Sequence, residues 1–170
     1  MKRMPMAVAS RESVKVADEV WVAAALLHRE QPDREDFTIN EIVERARQEA
    51  ITETLRTSVR VHAALHCVAN RQPSPARYRM LSATGKNTRR LFRPGDPYHR
   101  EREGAKTTPN REEIPERYHT LLDWYRTDYV ARTTAAPGRD PILGLRGLGR
   151  EIWRGEKPDE YVRHLREGWD

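Results

Sequence analysis

The stretch from Phe37 to Arg93 constrains this chain most. It reads as a short strand, two helices and a β-hairpin in close succession. Phe37-Thr38 is the strand stub. Thr38 or Asn40 caps the helix that follows, and Glu41 suits its first turn. Ile42, Val43, Ala46 and Ala50 then recur at helical spacing. Ile51-Thr52 reads as a turn. A third helix is expected from Glu53 to Ala69, stopping before Arg71-Gln72-Pro73-Ser74-Pro75. Residues 76–83 (ARYRMLSA) alternate polar and apolar as a strand does. Thr84-Gly85-Lys86-Asn87-Thr88 is a turn, and residues 89–93 (RRLFR) return as the second strand.

That order is the grammar of a winged helix-turn-helix. The expected fold is therefore mainly α with a small β-hairpin. The winged-helix domain is assigned to residues 13–95, after a disordered lead-in over residues 1–12. Its first helix runs from Ser13 to Arg29, with Val16, Val20, Ala23, Ala24 and Leu27 on the apolar face, widened by Trp21 and Val22. Residues 96–132 read as an extended connection and an amphipathic helix, Glu113 to Val130. Leu121, Leu122, Trp124, Tyr125 and Tyr129 are its expected buried residues. This helix either packs back on the domain or pairs with a second copy in a homodimer. A linker over residues 133–139 leads to a short helical tail, residues 140–170.

The 170-residue chain carries a net charge of +5, and the distribution says more than the sum. Residues 53–102 hold eleven Arg and Lys against three acids, a surplus of eight, so the remainder is −3. A basic block in an otherwise acidic chain suggests a face for a polyanion. The alternative is an arginine-rich solvated surface. The longest apolar run, Val20 to Leu27, is too short to span a bilayer, and the basic N-terminus lacks an apolar core for a signal peptide. No membrane association is expected. A lone cysteine, Cys67, excludes an internal disulfide and fits a reducing cytoplasm.

The third helix is the expected reader. Its projection assigns Leu55, Val59, Val61 and Leu65 to the core, with Ser58 and His62 between them. Arg56, Thr57, Arg60 and Ala64 are assigned to the outward side with Cys67. Arginine bridges guanine N7 and O6, and threonine suits a phosphate or a thymine methyl. Thr54, at the helix start, suits a phosphate. The hairpin adds Lys86, Asn87, Thr88, Arg89 and Arg90 toward the DNA backbone or minor groove, supported by Arg77 on its first strand.

Residues for catalysis are hard to find. His62 and His66 are four apart, a spacing that suits one metal, but the glutamate of a zinc-protease helix is missing. They are expected in the core or an interface. Gly85-Lys86 lacks the rest of a phosphate loop: Met80 and Asn87 stand where the pattern needs Gly and Ser or Thr. Glu112, Glu113 and Glu116 read as the acidic first turn of a helix. Cys67 reads as packing. No catalytic residue, metal or cofactor is expected.

The tail, DPILGLRGLGREIWRGEKPDEYVRHLREGWD, combines large apolar residues with Gly144, Gly147 and Gly149. Each glycine weakens an isolated helix by ~1 kcal/mol relative to alanine. Such a segment suits folding on a partner. The alternative is docking of Trp153 and Trp169 on the first domain.

Two resemblances follow from these residues. VWVAAALLHRE, FTINEIVERA, HCVANR, ARYRMLSATGKNTRRLFRPGDP and TPNREEIPE resemble a bacterial winged-helix domain family of unassigned function, covering about half the chain. DPILGLRGLGREIW and PDEYVRHLREGW resemble the C-terminal segment of prokaryotic type II antitoxins, especially those joined to AbrB-like DNA-binding domains. That resemblance implies an N-terminal part on operator DNA and a tail wrapped on a toxin, such as a PIN-domain ribonuclease. Trp153, Tyr161, Leu165, Arg166 and Trp169 would then face the toxin. The departure is the DNA-binding part, a winged helix here and not an intertwined barrel. The expectation is a cytoplasmic DNA-binding regulator with an antitoxin-like tail, acting by occupancy on double-stranded DNA. The alternative is a protein–protein adaptor built on the same fold.

Overall fold

A computed structural model describes residues 14–52, 55–73 and 75–134. The chain divides into two units, Met1–Val130 and Ala131–Asp170. The expected lead-in over residues 1–12, most of the linker and the tail lie outside the described residues, as does the whole of the second unit beyond residue 134.

The first unit is mixed, about half helical, around one long helix. Helix α1 (Val16–Glu30) is buried without interruption from Ala17 to His28. A helix enclosed on all sides carries apolar residues all round it. The stripe expected from sequence is thus only part of its contact surface. Around it pack α2 (Ile39–Glu49), α3 (Ser58–Val61), the sheet and α4 (His119–Trp124).

Strand β1 (Phe37–Thr38) leads straight into α2. Thr38 caps that helix, its Oγ1 accepting from the Glu41 amide (3.2 Å) while Glu41 Oε2 accepts from the Thr38 amide (2.8 Å). Arg34 holds Glu41 at 2.6 Å. α2 ends at Ala50, which adopts the left-handed conformation (φ 47°) and donates its amide to Ala46 (3.2 Å).

The hairpin is shorter than the sequence suggests. Strands β2 (Leu81–Ala83) and β3 (Thr88–Leu91) pair antiparallel, with Ser82 opposite Arg90, and β1 adds to the far side of β3. The sheet order is β1-β3-β2. The expected hairpin is thus part of a three-stranded antiparallel sheet. Residues 78–80 do not extend β2, because their amides are used elsewhere. Tyr78 donates to His66, Arg79 to Lys106, and Met80 to Cys67. In the turn, a Cβ on Gly85 would come within 2.8 Å of Thr88 Oγ1, so a larger residue there would have to displace the Thr88 side chain.

The third helix is also shorter and turned differently from expectation. It begins at Ser58 and continues as a π-turn over His62–His66, closed by the Cys67 amide on the His62 carbonyl (2.9 Å). Val59, Ala63 and Cys67 form its buried side. Val61 and Leu65, assigned to the core from sequence, are exposed. At ~100° per residue they stand roughly 200–240° round from Val59, so spacing puts them outward despite their apolar character.

The segment after the sheet completes the core. Short 3-10 turns at Arg100–Arg102, Arg111–Glu113 and Glu116–Tyr118 precede α4, and a π-turn over Tyr125–Tyr129 follows it. The acidic first turn expected around Glu113 is thus a separate 3-10 turn, boxed by Asn110. Ile114, Tyr118, Leu121, Leu122, Tyr125 and Tyr129 are buried, whereas Trp124 is half-buried. Tyr125 packs edge-on against Trp21 at 5.7 Å and stacks on Tyr129 at 5.7 Å. Their hydroxyls donate to the carbonyls of Phe92 and Leu91. Of the two roles expected for this helix, packing back on the domain is the one observed.

Candidate nucleic-acid interface

The ten residues expected to meet DNA separate into three groups. Thr54 lies outside the described residues. Three arginines serve the fold. Arg56 binds the buried carboxylate of Glu19 through Nη2 (2.6 Å) and Nε (3.2 Å), so it ties the third helix region to α1. Arg89, expected on the surface, is fully buried. Its guanidinium donates to the carbonyls of Thr88 (2.7 Å), Gly85 (3.1 Å) and Ala64 (3.2 Å), and burial lowers its pKa to about 10. Arg90 forms a two-pronged pair with Asp96, both contacts 2.7 Å. Asp96 also accepts from Ser82 Oγ and the Arg93 amide. Arg56 and Arg90 are already paired with carboxylates, and Arg89 is enclosed with its terminal nitrogens on carbonyls and its Nε without a hydrogen-bond partner, so none of the three is placed to contact a new anion.

The remaining six lie at or near the surface. Thr57 and Arg60 are exposed at the start of the third helix. Arg60 rests both terminal nitrogens on Asn40 Oδ1 (2.7 and 2.6 Å), which bridges the third helix to α2. Arg77 is exposed in the segment before β2. Lys86 and Asn87 are exposed at the hairpin turn, and Thr88 is half-buried. The Asn87 carbonyl accepts from the Ile39 amide (3.0 Å), and Thr84 and Thr88 hydroxyls meet at 2.8 Å. Asp36 also accepts from Thr84 (2.6 Å). The turn is therefore pinned to the start of α2, with Lys86 at its tip.

Two features escaped the sequence. The first is Arg102, which is fully buried without a carboxylate. It donates to the carbonyls of Tyr78 (2.6 Å), His66 (2.8 Å), Arg71 (2.9 Å) and Leu65 (3.1 Å), and burial lowers its pKa. Together, Arg89 and Arg102 cover the last carbonyls of the third helix. The second is a charge cluster joining distant segments. Lys106 bridges the buried Asp18 (2.8 Å) to Glu113, which also accepts from Lys15. Those two lysines hold Glu113 at a pKa of about 2. No local signal announces either feature, because each depends on which carbonyls or carboxylates the fold brings near.

The residues weighed for chemistry have structural surroundings. His62 and His66 rings meet edge to face at 4.8 Å, and His62 Nδ1 donates to the Ser58 carbonyl (2.9 Å). Among the described residues no group of three or more His, Cys, Asp or Glu could hold a metal ion. Cys67 is buried, and burial pushes its thiol pKa up. Among the described residues no helix is long and apolar enough to cross a membrane. Trp153, Tyr161, Leu165, Arg166 and Trp169, the expected toxin-facing residues, lie outside the described residues. Comparison with protein-family models, curated proteins and solved structures finds no match to the chain.

Proposed function

We propose that the chain is a winged helix-turn-helix protein that binds double-stranded DNA and regulates by occupancy. The observation that carries this reading is the element order α1-β1-α2-α3-β2-β3, closed as a sheet in the order β1-β3-β2. In that arrangement the third helix is the reader and the β2–β3 turn is the wing. Thr57 and Arg60 are its base-facing candidates. Arg77, Lys86, Asn87 and Thr88 are its backbone candidates, while Arg56, Arg89 and Arg90 hold the scaffold. The tail is proposed as the site of a toxin partner, through Trp153, Tyr161, Leu165, Arg166 and Trp169.

Anisotropy of a labelled duplex bearing the chain's own upstream region, against a scrambled duplex, tests the reading across a salt series. With Arg77 and Lys86 neutralising ~2 phosphates, log affinity should fall against log salt with a slope of roughly −2. Arg60→Ala should erode the preference for the upstream duplex, and Lys86→Ala should weaken both duplexes alike. Absence of binding at low salt would discard the DNA reading and favour an adaptor that docks an acidic protein.

A further inference from the structure

Among the described residues three large hydrophobic side chains are exposed: Val61 (43%), Leu65 (41%) and Tyr98 (41%). Tyr98 has a partner, since the Arg79 guanidinium lies 4.4 Å from its ring centre. Val61 and Leu65 remain, one turn apart on the third helix. The opposite side of that helix is filled by Val59, Ala63 and Cys67, so the exposed pair is not an unfinished piece of the core.

The surroundings of the pair favour an anion. Thr57 and Arg60 are exposed at the N-terminal end. At the C-terminal end the usual sign is reversed. A helix terminates in carbonyls worth about half a negative charge. Here the carbonyls of Ala64, Leu65 and His66 each accept from a buried guanidinium, Arg89 or Arg102. Every hydrogen-bond acceptor of these two guanidiniums is a carbonyl, so their charges are solvated but not cancelled. A low-dielectric interior carries such a field to the surface. The surface is thus apolar at its centre and positive at both ends. The major groove of DNA offers the matching chemistry. Phosphates line its edges, and the thymine C5-methyl is the apolar group on its floor.

We infer that Val61 and Leu65 are specificity-determining residues that read thymine methyl groups in the major groove, an inference that rests on the DNA-binding reading above. Arg60 and the arginine-covered helix end supply attraction, and the two aliphatic side chains supply preference for thymine.

The test uses the full chain and a pool of random-sequence duplexes. The enriched duplex is remade with deoxyuridine in place of thymidine, which removes only the methyl groups. Each methyl lost from a buried contact should weaken binding by about fourfold, the transfer free energy of one methyl-sized group. The double variant V61T/L65Q should bind the thymine duplex less tightly and should not distinguish thymine from uracil. An unchanged melting midpoint for that variant separates contact from folding, and if it does not fold, the uracil comparison on the unaltered chain decides alone. Tight binding indifferent to uracil would overturn the inference and leave DNA binding intact. A variant that loses affinity while the unaltered chain ignores the methyls would overturn it as well. No enrichment, and no salt-dependent binding to any duplex, would remove both readings.

Discussion

Helix α1 and the third helix answer the same packing problem in opposite ways. α1 is enclosed from Ala17 to His28, so its stability comes from burial in every direction. It pays for this with two buried acids, Asp18 and Glu19, which need Lys106 and Arg56 as partners. The third helix, Ser58 to His66, has one buried stripe of small residues and an open side. A helix of nine residues is marginal alone. It is held by its end, where Arg89 and Arg102 cover the carbonyls. The helix with the open side is thus the one whose last carbonyls rest on buried cations.

Breaking the third helix at its end should have the largest effect. Arg102→Ala takes the guanidinium donor from the Tyr78 and Arg71 carbonyls and leaves those of Leu65 and His66 with one backbone amide each, and the loss should be about 3 kcal/mol in denaturant unfolding. A loss below about 1 kcal/mol would show that the helix end does not depend on this guanidinium.

The enclosed helix breaks through pH. His28, near the end of α1, is buried between Phe37 and Tyr129, each 4.9 Å away ring to ring. Its Nε2 accepts from the Leu91 amide (3.3 Å), so the native state needs the neutral ring. Burial, helped by Arg93 and Arg90, lowers its pKa to about 4. The unfolded ring takes its proton near pH 6.5, before the folded one does. Stability is therefore intact above about pH 6.5 and falls as pH drops toward 4, by about 3 kcal/mol at the end of that window. Urea unfolding at pH 7 and at pH 4.5 measures it. His28→Gln should flatten the difference, and an unchanged slope in that variant would assign the pH dependence to other groups.

The open side of the third helix should give the smallest change in stability. Leu65→Gln alters an exposed position and should shift unfolding by less than about 0.5 kcal/mol. A loss above about 1 kcal/mol would mean that Leu65 belongs to the packing after all.

Much of the fold was legible locally. FTINEIVERA announced β1 and α2 through its cap candidates Thr38 and Asn40 and the acid Glu41; the structure selects Thr38, which forms a capping box with Glu41. Gly85 and Asn87 announced the hairpin turn. The third helix departs from expectation because apolar character and spacing conflict there: Ala63 and Cys67 are small but inward, whereas Val61 and Leu65 are larger but outward. Its start at Ser58 also lies beyond the expected Glu53, and Arg56, before that start, is held on Glu19.

The candidate interface was legible as a basic segment but not as a set of residues. Eleven cations in residues 53–102 can be counted along the chain. Sorting them requires the tertiary structure. Arg89 and Arg102 turn inward, Arg90 meets Asp96, and Arg60 and Lys86 stay exposed.

The local elements, the turn chemistry and the excess of positive charge are thus written along the chain, because capping, turn propensity and charge are properties of neighbouring residues. Only the tertiary structure decided which arginines are scaffold and which are surface. A guanidinium can be buried only where several carbonyls or a carboxylate converge on it, and that convergence joins segments such as Leu65, Tyr78 and Arg102 that share no local pattern.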